Sequence, residues 1–181
     1  MSRSAIVLAT GLATIGVLCP GLAALPPTFV WNASASAPVG LYRIEGGGPF
    51  SLGDLVVVEP PEPLATFLAD RAYLPKGVLL LKHIVAVSGQ TVCRHQRTIS
   101  VDGVEVGTAL EHDRAGRELP RWQGCQRITA GAVFLMNRQV RDSLDGRYFG
   151  LVSTDQIIGR AVPLWTEEQG DGRFEWRART R

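Results

Sequence analysis

The chain has 181 residues and a formal net charge of +2, from 19 Lys and Arg against 17 Asp and Glu, and 45% of its residues are hydrophobic. Once an apolar N-terminal stretch is set aside, that is room for one soluble domain. The two charge signs are mixed along the chain, without the basic block or stripe that phosphate backbones require, so nucleic acid is not expected as a partner.

The first predicted element decides the compartment. Ala5 to Leu25 carries no charge over 21 positions, and a hydrocarbon core needs about 20 residues of helix. Arg3 and the terminal amine are the only positive groups before it, and the next basic residue is Arg43. The positive-inside bias therefore leaves the N-terminus in the cytosol and the rest of the chain outside. A cleaved signal peptide is the competing reading, since the segment contains Gly and Pro and ends in small residues. Both readings export the remaining domain, residues 26–181. Pro26-Pro27 stops any helix there. Phe29 and Trp31 then fall where aromatic rings favour the headgroup region, and a first strand would use them equally well in its core.

After this segment the pattern is mostly β. Gly40–Ile44, Asp54–Pro60, Val78–Gly89, Thr98–Val106, Ala132–Asn137 and Gln156–Trp165 are short runs rich in Val, Ile and Leu, separated by Gly and Pro. Asp102-Gly103 supplies the positive φ of a tight hairpin. One helix is expected over Pro63–Leu74, with Pro at its start and Leu64, Phe67, Leu68 and Ala72 at helical spacing. Glu111–Gln126 is polar with Gly and Pro and reads as a long excursion between strands. The tail, Glu167–Arg181, reads as a solvated end with one aromatic docked. The fold class is all-β, mainly antiparallel sheet.

Three stretches carry chemistry: SASAPVGLYR (Ser34–Arg43), LLLKHIVAVSG (Leu79–Gly89) and DSLDGRYFG (Asp142–Gly150). In order and spacing they resemble the nucleophile, lysine and aspartate boxes of the signal peptidase I family. They are most similar to its small single-anchor branch, the TraF-type conjugative transfer peptidases, whose first box reads Asn-x-(small or Thr)-x-Ser-x-Pro-x-Gly-Leu-Tyr-Arg. The resemblance runs from the anchor to about Leu164. It implies a signal peptidase-like β fold and a membrane-anchored serine peptidase with a Ser–Lys dyad. The catalytic domain would lie on the periplasmic side of a bacterial inner membrane and need no cofactor or metal. By position Ser36 matches the nucleophile, Lys82 the general base and Asp145 the aspartate that supports the site. Ser34 matches the hydroxyl that joins the Ser36 amide in holding the oxyanion, and Ser143 and Arg147 match supporting positions. The sequence departs from the broader family where Ser36-Ala37-Pro38 replaces Ser-Met-x-Pro, where VAVSGQ replaces Leu-Pro-Gly-Asp, and where Gly146 replaces a serine.

These residue types suit the chemistry on their own terms. A serine hydroxyl is a poor nucleophile until a base takes its proton. An ordinary lysine is neutral in only about one molecule in a few thousand at pH 7, and burial in apolar surroundings raises that fraction. Lys82 sits between VLLL and HIVAV, where a buried charge is expensive, although an edge-strand lysine reaching solvent has the same neighbours. His83 is the rival base; adjacent strand residues face opposite sides, so only one of the two points at Ser36. Ser34 and Ser36, two apart in an extended segment, face one cleft, while a serine also caps turns. Pro38 and Gly40 turn the loop. Asp145-Gly146 would by itself mean a tight bend, and Arg147 is a partner for Asp145.

Cys93 and Cys125 are a candidate disulfide in an oxidising compartment. With His95 and His112 nearby their spacing matches none of the usual zinc patterns, so no metal is expected. The resemblance implies maturation of a pilin-like precursor of a conjugative transfer apparatus, in some relatives with cyclisation, and contact with the membrane and with other transfer components. A general signal peptidase and a non-catalytic assembly factor of the transfer channel are the alternatives.

Overall fold

The structure, a computed structural model, describes residues 2–22 and 27–178. Helix α1 spans Arg3–Leu22, and its side chains Ile6, Val7, Leu8 and Leu12 are exposed. Among the described residues no helix is long and apolar enough to cross a membrane. The end of the expected membrane segment, Ala23 to Leu25, and Pro26 of the expected helix stop lie outside the described residues.

The body is antiparallel sheet. β1 (Phe29–Asn32), β2 (Val39–Glu45), β3 (Leu55–Val58), β4 (Leu80–Ala86), β9 (Ala132–Leu135), β10 (Leu151–Ser153), β11 (Ile157–Glu167) and β12 (Glu175–Trp176) form one sheet in the order β1-β2-β11-β3-β4-β9-β10, with β12 on β11. A smaller sheet, ordered β7-β6-β5-β8, is built from β5 (Thr91–His95), β6 (Thr98–Val101), β7 (Val104–Thr108) and β8 (Gly124–Arg127). β3 is the middle of the large sheet and every one of its residues is buried. Its side chains alternate between two clusters: Leu55 and Val57 pack with Tyr42, Ile44 and Leu81, and Val56 and Val58 with Ile84, Val133 and Leu135. Both faces of the strands around β3 are thus covered, which is why the apolar runs show no clean alternation. β11 reaches across β2 and β3, and its pairing with β2 shifts between Pro163 and Trp165, next to the one β11 residue that has no backbone donor.

The Asp102-Gly103 hairpin forms as expected, with φ of 49° and 82°. Three expectations need correction. The helix α2 runs Glu62–Asp70, ending short of Leu74 because Ala72 turns left-handed at φ 53° and the amides of Tyr73 and Leu74 fold back onto the Leu68 carbonyl. The Glu111–Gln126 excursion ends inside β8, a polar, exposed strand held by its ladder to β5 and by a Cys93–Cys125 disulfide. The C-terminal tail is not simply a solvated end, because it returns as β12.

The small sheet packs Val92, Ile99 and Val101 against Ala86 and Phe134 of the large one and against Met136, just past the end of β9. It also reaches the Asp145 turn. Arg94, 1% exposed, donates to the Arg147 carbonyl at 2.5 Å, and Trp122 Nε1 donates to the Gly146 carbonyl at 3.0 Å. Gly146 fits where a serine would not, since a Cβ there would lie 2.6 Å from the Phe134 ring and 2.7 Å from the Leu135 carbonyl oxygen.

Candidate active site

The Ser34–Ala37 segment is a tight loop between β1 and β2 rather than the extended stretch expected. Asn32, the last residue of β1, builds it. Its buried amide donates to the carbonyls of Ser34, Ala37 and Pro38 at 2.9–3.0 Å, and its Oδ1 accepts from the Ser34 amide at 3.1 Å. Tyr42 closes the far side, its hydroxyl donating to the Pro38 carbonyl at 2.6 Å. Gly40 then lets β2 press on β11: its φ is 148°, and a Cβ would lie 2.2 Å from the Trp165 carbonyl oxygen. Ser34 and Ser36 do share one cleft, through this turn. Their hydroxyls are 2.8 Å apart, and the Ser36 amide donates to Ser34 Oγ at 3.4 Å.

Lys82 comes to the same point from β4. It is 4% exposed, with Nζ 3.4 Å from Ser36 Oγ and 2.8 Å from Ser143 Oγ. Burial pushes its pKa down to about 8, while the Asp145 carboxylate pulls it up and the Arg147 guanidinium pushes it further down. At pH 7 about one such lysine in ten is neutral, against one in a few thousand for an ordinary one. Ser143 is therefore a direct partner of the amine, closer to it than Ser36 is.

His83, the rival base, makes no hydrogen bond to Ser36, in keeping with the expectation that only one of the two neighbours points at it. It lines the same groove as Ser36, but its ring nitrogen Nδ1 is 3.2 Å from Asn137 Oδ1. An amide oxygen only accepts, so Nδ1 carries the proton. Nε2 is buried and has no hydrogen-bond partner among the described residues. Neither nitrogen meets the serine, and the contact to Ser36 belongs to Lys82.

Asp145 sits behind the amine. It forms a buried double contact with Arg147, Nη2 to Oδ2 and Nε to Oδ1 at 2.9 Å each, and accepts the backbone amides of Asn137 and Arg147 at 3.1 Å. As the N-cap of the short helix α3 (Gly146–Phe149) it does more than make a tight bend. Arg147 also donates to the carbonyls of Val140, Arg141 and Ser143, wrapping the loop that presents Ser143. The ion pair thus shapes the segment opposite the serine loop.

One residue that matters here was not singled out from the sequence. Asn137, 1% exposed, donates to the Ser36 carbonyl at 2.6 Å and to the Leu81 carbonyl at 3.0 Å, and accepts from the His83 amide at 3.2 Å. It bolts the serine loop to the backbone on both sides of Lys82. Its only trace in the sequence is a polar residue closing an apolar strand, a pattern far too common to read.

A groove of about 420 Å³ opens beside Ser36, with Tyr42, Leu55, His83, Val140 and Pro163 among its walls. Its walls are mainly apolar, with Glu167 and Glu168 among its polar residues. The sulfurs of Cys93 and Cys125 and a ring nitrogen of His95 lie within 4.8 Å of one another, but both sulfurs are spent in the disulfide, which leaves no thiolate pair for a metal.

Residues 3–165 match the signal peptidase, peptidase S26 family. The plasmid transfer protein TraF of Escherichia coli is 31% identical over 145 residues, covering 75% of this chain and 81% of that protein. The conjugal transfer protein TraF of Agrobacterium fabrum is 30% identical over 178 residues, covering 92% of this chain and 98% of its own length. A crystal structure of a signal peptidase I from Enterococcus faecalis aligns with 62% of this chain and 97% of its own, at 17% identity and a TM-score of 0.37.

Proposed function

We infer the function of this chain from one premise: it belongs to the signal peptidase, peptidase S26 family. It is a membrane-held serine endopeptidase that cleaves a pilin-like precursor of a conjugative transfer apparatus through a Ser36–Lys82 dyad. The single observation that carries this reading is the buried Lys82 amine, 3.4 Å from the Ser36 hydroxyl and shifted toward neutrality. The conjugative setting is supported by likeness to two TraF proteins over most of their length. The exposed Ile6, Val7, Leu8 and Leu12 of α1 support attachment to the membrane.

The neutral Lys82 Nζ takes the Ser36 proton as Oγ attacks the scissile carbonyl carbon. Ser143 Oγ accepts a hydrogen bond from the amine and so leaves its lone pair aimed at Ser36. The oxyanion forms between the Ser36 amide and the Ser34 hydroxyl. The lysine ammonium then protonates the leaving amine, and the C–N bond breaks to give an ester on Ser36. A water, giving its proton to Lys82, attacks the ester; the C–Oγ bond then breaks, the Lys82 ammonium returns a proton to Ser36 Oγ, and the acid is released. An N-terminal amine of the substrate held at the ester in place of water would give a circular product, one water mass lighter than the linear one.

The pH profile of precursor cleavage tests this reading. A base must be unprotonated to act, so kcat/KM is expected to climb about tenfold per pH unit below pH 8 and to level off above it. A profile flat across that range, or falling with pH, would exclude Lys82 as the base.

A further inference from the structure

The groove beside Ser36 carries negative charge that no neighbouring cation balances. Glu167, the last residue of β11, pairs with Val39, the first residue of β2, so the ladder brings it back beside the serine loop. Glu168 follows it, and both residues line the groove, half-buried. Each carboxylate is held through one oxygen. The buried Thr166 donates its hydroxyl to Glu168 Oε1 at 2.7 Å, and the Gly172 amide donates to Glu167 Oε1. The charge of Glu168 is felt in the groove wall, where, after burial, it helps hold the proton on the Tyr42 phenol. No lysine or arginine lines the groove. Arg43 of β2, Arg160 of β11 and Arg173 beyond it pair with Glu45, Asp54 and Asp171, and among the described residues no ion pair reaches Glu167 or Glu168.

His83 adds a third acceptor. Its Nδ1 proton points to Asn137, which leaves a lone pair on Nε2, buried in the groove wall without a hydrogen-bond partner among the described residues. A buried polar atom left unmatched costs free energy until a ligand supplies the other half of the bond. The Tyr42 hydroxyl is already committed to the Pro38 carbonyl. Apart from Ser36 and the exposed Gln139, the polar side chains of the groove therefore offer acceptors set in apolar walls.

These three are not placed as ligands to one metal ion. Among the described residues the group of His, Cys, Asp and Glu side chains whose ligand atoms lie within 4.8 Å of one another is Cys93, His95 and Cys125, so His83 and the two glutamates stand further apart. Acceptors spread along an apolar slot suit a larger group rich in N–H donors, such as an ammonium or guanidinium at the end of an apolar stem. Both glutamates lie past residue 165, where the match to the family ends.

We propose that Glu167, Glu168 and His83 Nε2 form a subsite of the groove that takes a cationic group of the protein substrate, either a Lys or Arg side chain or its terminal ammonium. This deepens the peptidase reading and rests on it in taking a polypeptide as the ligand. The stem lies along the apolar walls and the N–H groups meet the carboxylates, so the subsite selects what is bound and takes no part in making or breaking bonds.

The test uses the full chain carrying Ser36→Ala, which binds without cleaving, in detergent micelles at low ionic strength. The probes are acetyl-capped decapeptide amides of alanine and serine with one lysine walked along the sequence, each matched to the same peptide with that lysine side chain acetylated. An uncapped peptide without lysine, matched to its capped form, probes the terminal ammonium. Ligand-observed NMR reads the dissociation constants. At least one charged probe is expected to bind about fivefold or more tighter than its neutral match. A lysine peptide doing so places a side chain in the subsite, and the uncapped peptide doing so places a terminus there. Glu167→Gln with Glu168→Gln keeps the oxygens that accept from Gly172 and Thr166 but removes both charges, and is expected to erase the preference. Equal binding of every charged probe and its neutral match would overturn the inference without need of any groove variant, and so would a preference that survives the double glutamine change. The peptidase reading stands or falls separately, on cleavage by the chain with Ser36 and Lys82 altered.

Discussion

On the proposed function, Ser36→Ala and Lys82→Ala are each expected to abolish cleavage of a pilin-like precursor in a membrane preparation while the amount of the protein is unchanged. The expected loss is on the order of 10⁴-fold or more for either change, and no larger for both together, because a nucleophile and its base act as one unit. The fold is expected to survive. The contacts that hold the serine loop run through Asn32, Asn137 and backbone carbonyls, none of which uses Ser36 Oγ. Lys82→Ala removes an amine that burial already penalises, so the cavity it leaves is partly offset by relief of that penalty. Lys82→Arg is also expected to be inactive, since a guanidinium does not shed its proton at any working pH. Mass spectrometry of the precursor and its product reads all of these outcomes. Normal processing by either alanine variant would defeat the peptidase reading and leave the assembly-factor alternative.

The second large effect is on stability. Asp145→Ala is expected to lower the unfolding free energy by about 3–5 kcal/mol, because it strands the Arg147 guanidinium inside the protein. Arg147 is 1% exposed, and the Asn137 and Arg147 amides lose their carboxylate acceptor in the same change. Urea titration followed by circular dichroism measures this as a shift in midpoint at constant slope. A shift under about 1 kcal/mol would show that the pair is not structural. Replacing both partners by apolar residues, Asp145→Leu with Arg147→Met, is expected to recover much of the stability. It is not expected to recover activity, because Arg147 also gathers the Val140, Arg141 and Ser143 carbonyls around the loop that presents Ser143 to Lys82.

Much of the fold was legible because strong strands are apolar. The runs at Gly40–Ile44, Asp54–Pro60, Val78–Gly89 and Gln156–Trp165 all became strands that pass beside or through the core. The strands that were missed are polar or very short. β8 is exposed at every position and β12 has two residues, and what holds them is a backbone ladder that carries no side-chain signature. The overrun at the end of α2 has a similar cause: the apolar spacing continued to Ala72, but only the packed chain decided that Ala72 would turn left-handed.

The sequence by itself determined the residue types of the site and their order: a serine before a Pro-x-Gly turn, a lysine inside an apolar run, an aspartate two residues from an arginine. These are local facts, carried by neighbours along the chain. Only the tertiary structure decided that Lys82 reaches both Ser143 and Ser36, that Asn137 ties the serine loop to β4, and that Glu167 pairs with Val39 beside the groove. Each of these joins residues tens of positions apart, and strand pairing has a period of two, so a register shifted by one residue would turn every such side chain to the opposite face.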